Sequence, residues 1–196
     1  MTGGGYSFNR KKIRMYTYGV YGESTSTGHK ATLQAGITAG TAWCVTTSTP
    51  TLVRKGGFAA SGYNSYEVYS NAVRTDPTLA FWMERTNDMS QNISLYKSKM
   101  YMMKTFDVVS PDIPVALAIP PMVGVEQEVN DYNAWLAEVA HIEGLEFFDP
   151  WVTFKDGAGF WLPGSSKTDG RHPTDATSMS LGVVIRDFAL SILPAN

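Results

Sequence analysis

The chain has 196 residues, 43% of them apolar, a length that suits one domain with a sizeable core rather than two. Its formal net charge of −2 gives no reason to expect a nucleic acid partner, and no apolar run is long enough to span a membrane. Cys44 is the only cysteine, which excludes an intrachain disulfide and a thiolate metal cluster; its apolar neighbours indicate a small core residue.

We expect a single domain over residues 1–196, with residues 1–12 forming a poorly ordered N-terminal extension. The first residues lack the apolar stretch of an export signal. A complete chain would therefore be cytoplasmic, whereas a chain that has lost its export signal would be secreted.

Apolar segments of strand length alternate with helical patterns along the chain. The predicted strands cover residues 13–20, 52–60, 78–83, 113–119 and 145–148. The predicted helices cover residues 30–44, 66–73, 93–106, 125–142 and, after a long irregular stretch, 174–193. Because the two types alternate, we predict an α/β protein with three layers, in which helices cover both faces of a five-stranded, mainly parallel sheet.

Ligands of such sheets bind beyond the carboxyl ends of the strands, so the segments that follow the strands are the candidate site. These are Gly-Glu-Ser at 22–24, Ser-Gly-Tyr at 61–63, Thr-Asn-Asp at 86–88 and Asp-Gly-Arg-His-Pro at 169–173. The first segment alone is more typical of a plain turn. It lacks the Gly-Lys-Ser/Thr ending of a phosphate loop, and it is not the Gly-x-Ser-x-Gly elbow of α/β-hydrolases.

Three histidines could act as a general base. His29 follows Ser24 too closely to fold back onto it without strain, and His141 lies on a predicted helix as surface or core filler. His172 stands three residues after Asp169, and this spacing favours it moderately.

The four segments, in this order and each after a strand, resemble the four sequence blocks of the SGNH hydrolase (GDSL-like esterase) family, named for its Ser, Gly, Asn and His. The resemblance runs from about residue 13 to 193 and includes the segments 79–88, 115–122 and 133–149. It implies a flavodoxin-like, three-layer fold and serine-dependent hydrolysis of carboxylic esters through an acyl-enzyme intermediate. It also implies that no metal or other cofactor is needed.

Carried over by position, the resemblance implies that Ser24 attacks an ester carbonyl while His172 accepts its proton and Asp169 orients the imidazole. The backbone N–H groups of Ser24 and Gly62 and the side-chain amide of Asn87 would form the oxyanion hole. A glycine at position 62 would let the backbone approach the ligand closely.

The chain departs from the family pattern at two positions. Glu23 stands where the family usually has Asp, so the side chain next to the nucleophile is one methylene longer. Arg85 stands where the third block usually has Gly, and we predict that it binds an anionic or polyhydroxylated substrate. The alternatives are that Arg85 points to solvent or pairs with Glu84.

The substrate class is indicated only by aromatic residues close to the blocks. Tyr63 and Trp161 are predicted to bind substrate, since exposed aromatic rings stack on sugars or acyl chains, whereas buried ones are core. We expect a small-molecule or carbohydrate ester with a short acyl group, such as O-acetyl. A lipase, arylesterase or thioesterase, a non-catalytic flavodoxin-like domain and a carbohydrate-binding domain remain alternatives.

Overall fold

The computed structural model describes residues 14–27 and 42–195. Its strands are β1 (Tyr16–Gly22), β2 (Leu52–Ala59), β3 (Leu79–Met83), β4 (Ile113–Leu117) and β5 (Glu146–Phe148). Its helices are α1 (Ser24–Thr27), α2 (Trp43–Thr46), α3 (Ser65–Ser70), α4 (Thr86–Ser90), α5 (Leu95–Val109), α6 (Glu126–Glu143) and α7 (Asp175–Ile192). The expected N-terminal extension, and all but the last residues of the helix predicted at 30–44, lie outside the described residues.

The five strands form one sheet in the order β2-β1-β3-β4-β5, and every neighbouring pair is parallel. The predicted α/β architecture is therefore confirmed, with a sheet that is parallel throughout rather than mainly so. From β1 the chain crosses to β2 at one edge of the sheet, and it then returns past β1 to add β3, β4 and β5 towards the opposite edge. Because such crossovers are right-handed, α2 lies on one face and α3, α5 and α6 on the other. Helix α7 packs against α2.

The core follows from the position of β3 in the middle of this sheet. All five residues of β3 are buried, as expected of a strand that helices cover on both faces. Phe81 of β3 contacts the ring of Trp43 edge to face, with the ring centroids 6.2 Å apart. Cys44 is fully buried, as predicted, and this burial raises the pKa of its thiol to about 11.

An irregularity in β2 explains the two glycines that interrupt its apolar pattern. Tyr18 of β1 pairs with Arg54, but the next residue of β1 pairs with Gly56, so β2 has one extra residue at this point. The following Gly57 has a φ of +125°, and a Cβ atom there would lie 2.2 Å from the carbonyl oxygen of Val20. Only glycine fits between the two strands at this position.

Two short helices occupy segments for which the sequence predicts loops. Helix α1 begins at Ser24 and α4 begins at Thr86, each directly after a strand end. They have four and five residues, which is too short for apolar periodicity to be visible in the sequence. No helix in the described ranges is long and apolar enough to cross a membrane.

Candidate active site

The turn that carries Ser24 packs directly against the end of the neighbouring strand β3. Gly22, the last residue of β1, pairs with Met83, and a Cβ atom on Gly22 would lie 2.3 Å from the carbonyl oxygen of Met83. It would also lie 2.6 Å from the hydroxyl of Ser26. Glycine therefore lets the chain turn sharply out of the sheet and start α1 at Ser24, at the carboxyl edge where ligands bind.

Three of the predicted site residues form a chain of hydrogen bonds at this edge. The hydroxyl of Ser24 lies 2.7 Å from Nε2 of His172, although the two residues are 148 positions apart in sequence. Nδ1 of the same imidazole lies 2.7 Å from Oδ2 of Asp169. Ser24 is 5% exposed and the His172 side chain 15%, so the contact is largely shielded from bulk water. This arrangement can move a proton from a hydroxyl to an imidazole.

The carboxyl group of Asp169 is fixed by its own loop. Its Oδ1 accepts hydrogen bonds from the backbone N–H groups of Arg171, at 2.9 Å, and His172, at 3.0 Å. Partial burial opposes the charge on Asp169, but these N–H groups and the imidazole outweigh it and hold the pKa of Asp169 well below its usual range. An ionised Asp169 only accepts hydrogen bonds, so Nδ1 carries a proton and, in the neutral ring, Nε2 offers its lone pair to Ser24.

Trp161 braces the segment that carries Asp169 and His172. Its indole N–H donates a 3.1 Å hydrogen bond to the carbonyl oxygen of Gly170, and its ring stands edge to face on the buried Trp151, with centroids 5.5 Å apart. Sequence reasoning predicted Trp161 as a substrate-binding residue. Its contacts support the position of the His172 segment, and direct binding of substrate stays a prediction.

The three predicted oxyanion donors come from the ends of three neighbouring strands. Ser24 is the first residue of α1, where a helical N–H has no partner within its own helix. Gly62 has a φ of +83° with open space beside its α-carbon, which leaves the backbone accessible. Nδ2 of Asn87 donates to the carbonyl oxygen of Tyr63 at 2.8 Å. Their role as an oxyanion hole remains a prediction.

Two residues that sequence reasoning missed connect these donors. Asp88 is fully buried, and its Oδ1 accepts a 2.8 Å hydrogen bond from the backbone N–H of Ser65. The amide of Gln91 donates to the carbonyl oxygen of Gly62 at 3.2 Å and accepts from the side chain of Asn64 at 2.6 Å. Both tie α4 to the loop after β2. No periodicity or motif predicts contacts between segments that follow different strands.

Tyr63 is the more accessible of the two aromatic residues predicted to bind substrate. It is 37% exposed, and its ring contacts Phe58 with the centroids 5.6 Å apart. Tyr63 directly follows Gly62 in the chain, and its carbonyl oxygen accepts the hydrogen bond from Asn87. The structure thus leaves a partly exposed aromatic ring on the loop that contains Gly62.

Arg85 borders a cleft between helices, and its predicted role in substrate binding stays a prediction. Its Nη1 donates to the carbonyl oxygen of Ile93 at 2.7 Å and lies 3.8 Å from Oδ2 of Asp88, while the guanidinium stands over the ring of Tyr132. It lines a cleft of about 450 Å³ between α4, α5 and α6. The lining of that cleft includes neither Ser24 nor His172, which border another pocket. The predicted pairing alternative also differs, since the partner is Asp88 rather than Glu84.

The side chain of Glu23 contacts the hydroxyl of Ser24 directly. It is fully buried, and its Oε2 accepts a 2.5 Å hydrogen bond from the hydroxyl of Ser24. Its other oxygen accepts from the hydroxyl of Thr86 at 3.3 Å. Glu23 thus places a carboxyl group against the same hydroxyl oxygen that contacts His172.

The other two histidines differ in how far the structure describes them. His141 is exposed near the end of α6, which leads into the start of β5 at the amino edge of the sheet, away from Ser24. His29 lies outside the described residues.

Solved structures with the same fold come from several bacteria. A protein described as lipolytic and of the G-D-S-L family from Desulfitobacterium hafniense has a TM-score of 0.72 at 14% identity, over 88% of this chain and 98% of its own. A GDSL-like lipase from Bacteroides thetaiotaomicron has a TM-score of 0.68 at 15% identity, over 91% and 89%. A lipase/acylhydrolase from Enterococcus faecalis has a TM-score of 0.68 at 12% identity, over 93% and 100%.

The resemblance that the four sequence blocks predict is confirmed at the level of the fold. The chain has the three-layer fold of the GDSL-like, or SGNH, hydrolases. No family model matches the sequence, and no curated protein sequence matches it either. The likeness is therefore one of architecture, and the chemistry has to be argued from the site.

Proposed function

We propose that this protein is a serine-dependent hydrolase of carboxylic esters. The observation that carries the proposal is the pair of 2.7 Å contacts that join Ser24 to His172 and His172 to Asp169 at the carboxyl edge of the sheet. A hydroxyl, an imidazole and an ionised carboxylate in this order are the parts that activate a serine nucleophile. The GDSL-like fold supports the same conclusion.

In the first half of the reaction Ser24 becomes acylated. The O–H bond of Ser24 breaks as its proton moves to Nε2 of His172, and the oxygen forms a bond to the ester carbonyl carbon. The electron pair of the carbonyl double bond moves to the oxygen, which becomes an oxyanion. Asp169 stabilises the imidazolium that forms. When the carbonyl double bond re-forms, the bond between the carbonyl carbon and the alkoxy oxygen breaks, and the imidazolium gives its proton to that oxygen, which leaves as the alcohol.

In the second half water attacks the acyl-enzyme, and His172 again accepts the proton. The oxyanion of each tetrahedral intermediate would lie between the N–H groups of Ser24 and Gly62 and the side-chain amide of Asn87. Support comes from the open backbone at Gly62 and from the hydrogen bonds that hold Asn87 beside the same loop. The reaction yields a free acid and restores Ser24.

For the substrate, we propose short-acyl esters, such as O-acetyl groups on carbohydrates. The supporting feature is the partly exposed ring of Tyr63 next to Gly62, because an aromatic face packs well against a sugar ring. A long-chain lipase or an arylesterase would use the same chemistry. Matched p-nitrophenyl esters of increasing chain length, together with acetylated saccharides, distinguish these possibilities by their kcat/KM values.

The decisive experiment is hydrolysis of p-nitrophenyl acetate with and without a serine-directed fluorophosphonate. We expect turnover that the reagent abolishes, and a phosphonate adduct on the peptide that contains Ser24. Absence of both turnover and adduct would favour the non-catalytic alternatives, a flavodoxin-like or carbohydrate-binding domain. An adduct on another serine would contradict the assignment of the nucleophile.

A further inference from the structure

The hydroxyl of Ser24 has two competing partners. Its oxygen lies 2.5 Å from Oε2 of Glu23 and 2.7 Å from Nε2 of His172. A serine hydroxyl carries one proton, so it can donate to only one of these two atoms at a time. The other contact is a hydrogen bond only if the partner supplies the proton. That proton comes from the carboxyl group of Glu23 or from the imidazole of His172.

Two proton arrangements satisfy both contacts. In the first, Ser24 donates to a neutral His172, and a protonated Glu23 donates to Ser24. In the second, Ser24 donates to an ionised Glu23, and a positively charged His172 donates to Ser24. Both arrangements contain the same number of protons, but only the first leaves His172 able to accept the proton of Ser24 during attack on an ester.

We propose that Glu23 is a second titrating group of the active site, which shares one proton with His172 through the hydroxyl of Ser24 and thereby sets the acid limit of ester hydrolysis. This inference rests on the proposed function. An ionised Glu23 favours the imidazolium form of His172, because opposite charges a few ångströms apart stabilise each other. A more alkaline medium is then needed to free the base.

The charged groups near Glu23 come from the turn between β3 and α4, from α4 itself and from the segment before α7. Burial is the main cause that raises the pKa of Glu84 well above its usual range, and the nearby carboxyl groups of Asp88 and Glu23 add to it. Asp88 has Arg85 as its neighbouring cation, and Asp169 faces His172 from the far side of the ring. Lys167 and Asp175 line the pocket that Ser24 and His172 border, and they pair with each other at 3.2 Å. The carboxylate of Asp169 next to His172 favours retention of the shared proton between Glu23 and His172.

The test is the pH dependence of kcat/KM for p-nitrophenyl acetate in Glu23→Gln. The amide keeps the size of the side chain and can donate to Ser24 while it accepts from Thr86, but it carries no charge. We expect the midpoint of the acid limb to move down by about one pH unit or more, the usual effect of removing an opposite charge at this range. An unchanged midpoint in an active Glu23→Gln enzyme would overturn the proposal.

Two further variants separate charge from shape. Glu23→Asp keeps the charge on a shorter side chain, so its midpoint should stay within about half a pH unit of the wild-type value. A shift in Glu23→Asp as large as in Glu23→Gln would contradict a role for the charge. Thr86→Val removes a hydrogen-bond donor to the Glu23 carboxylate, so the midpoint should move down by a smaller amount. If Glu23→Gln does not fold, the Thr86→Val variant provides the test.

A measurement that does not require turnover tests the role of Glu23 independently of the proposed esterase function. The imidazole resonances of His172, assigned by comparison with His172→Gln, can be titrated by NMR in the wild type and in Glu23→Gln. We expect their titration midpoint to move down in Glu23→Gln. That shift without any ester hydrolysis would refute the esterase function alone, whereas hydrolysis with no shift in either experiment would refute the role of Glu23 alone.

Discussion

The side-chain amide of Asn87 donates a 2.8 Å hydrogen bond to the backbone carbonyl oxygen of Tyr63. This bond joins the start of α4 to the loop after β2, so the amide is held at the residue that follows Gly62. An amide nitrogen carries two hydrogens, and the bond to Tyr63 uses one of them. The second hydrogen is the one that we propose to meet the oxyanion, since an oxyanion needs donors that are fixed before the reaction begins.

Asn87→Ala should therefore impair the chemical step more than substrate affinity. We expect kcat to fall by roughly 10² to 10³ with little change in KM, the usual effect of removing one oxyanion donor. Steady-state kinetics with p-nitrophenyl acetate measure both constants. Gln91→Ala is the matched control, because it removes a neighbouring amide that contacts the carbonyl of Gly62, and it should cost far less. A rise in KM alone for Asn87→Ala would mean that Asn87 binds substrate.

Ser24→Ala should abolish ester hydrolysis and fluorophosphonate labelling. The change removes one hydroxyl from a turn, so the melting temperature should stay close to that of the wild type. Ser26→Ala is the control, since Ser26 lies in the same turn and its buried hydroxyl has no hydrogen-bond partner among the described residues. Wild-type turnover in Ser24→Ala, or loss of turnover in Ser26→Ala with the fold intact, would contradict the assignment of the nucleophile.

Asp169→Asn should keep the fold and lose most of the activity. An amide that donates to Nδ1 would favour the tautomer with the proton on Nε2, where it cannot accept the proton of Ser24, so we expect kcat to fall by roughly 10³ or more. Asp187→Asn is the control, because Asp187 is an exposed carboxylate of α7 whose partner is Arg186, at 3.0 Å. Full activity in Asp169→Asn would mean that another group orients the ring.

Glu84→Gln should stabilise the protein, by an amount that grows with pH. The pKa of Glu84 is raised in the folded state, chiefly by burial, whereas in the unfolded chain Glu84 ionises near the ordinary pKa of glutamate, 4.5. Between these two values the folded state holds the extra proton, so the wild type loses stability as pH rises through this window. Urea unfolding at pH 5 and pH 8 tests this. A difference between variant and wild type that does not increase with pH would contradict the protonation assigned to Glu84.

Arg85→Ala should mainly lower stability. The change leaves the buried carboxyl group of Asp88 without its neighbouring guanidinium, which should cost about 2 kcal/mol of unfolding free energy. If Arg85 serves only the structure, kcat/KM should change equally for p-nitrophenyl acetate and for an acidic acetylated saccharide. A tenfold loss on the saccharide alone would instead support the substrate-binding role that the sequence predicts.

Much of the fold could be predicted because its signals are local. The apolar run that contains β3 indicates a strand covered on both faces, and β3 is buried along its whole length. The bounds of the first strand agree less well, since the sequence predicts residues 13–20 and the structure has Tyr16–Gly22. Gly22 looks like the start of a loop in the sequence, but it stays in the sheet because only glycine fits against the carbonyl of Met83.

In the candidate site, too, the residues with a local sequence signal could be predicted and the others could not. Ser24, Asn87 and His172 could be found because each lies in a short block after a strand, and the order of the blocks resembles a known family. The contact of Glu23 with the nucleophile and the environment of Arg85 could not be predicted. Both depend on which way a side chain turns as the chain leaves the sheet, and neither spacing nor periodicity contains that information.

His172 and Asp169, the proposed general base and the acid that orients it, lie on one short segment, and this bears on heat inactivation. The segment is held by a few bonds, among them the backbone N–H of Lys167 to the carbonyl of His172 at 2.8 Å and the indole of Trp161 to Gly170 at 3.1 Å. Such a surface segment can open locally at a lower free-energy cost than global unfolding. We therefore expect amide hydrogen exchange at Lys167 to be faster than in β3, and catalytic power to vanish on warming before the sheet melts.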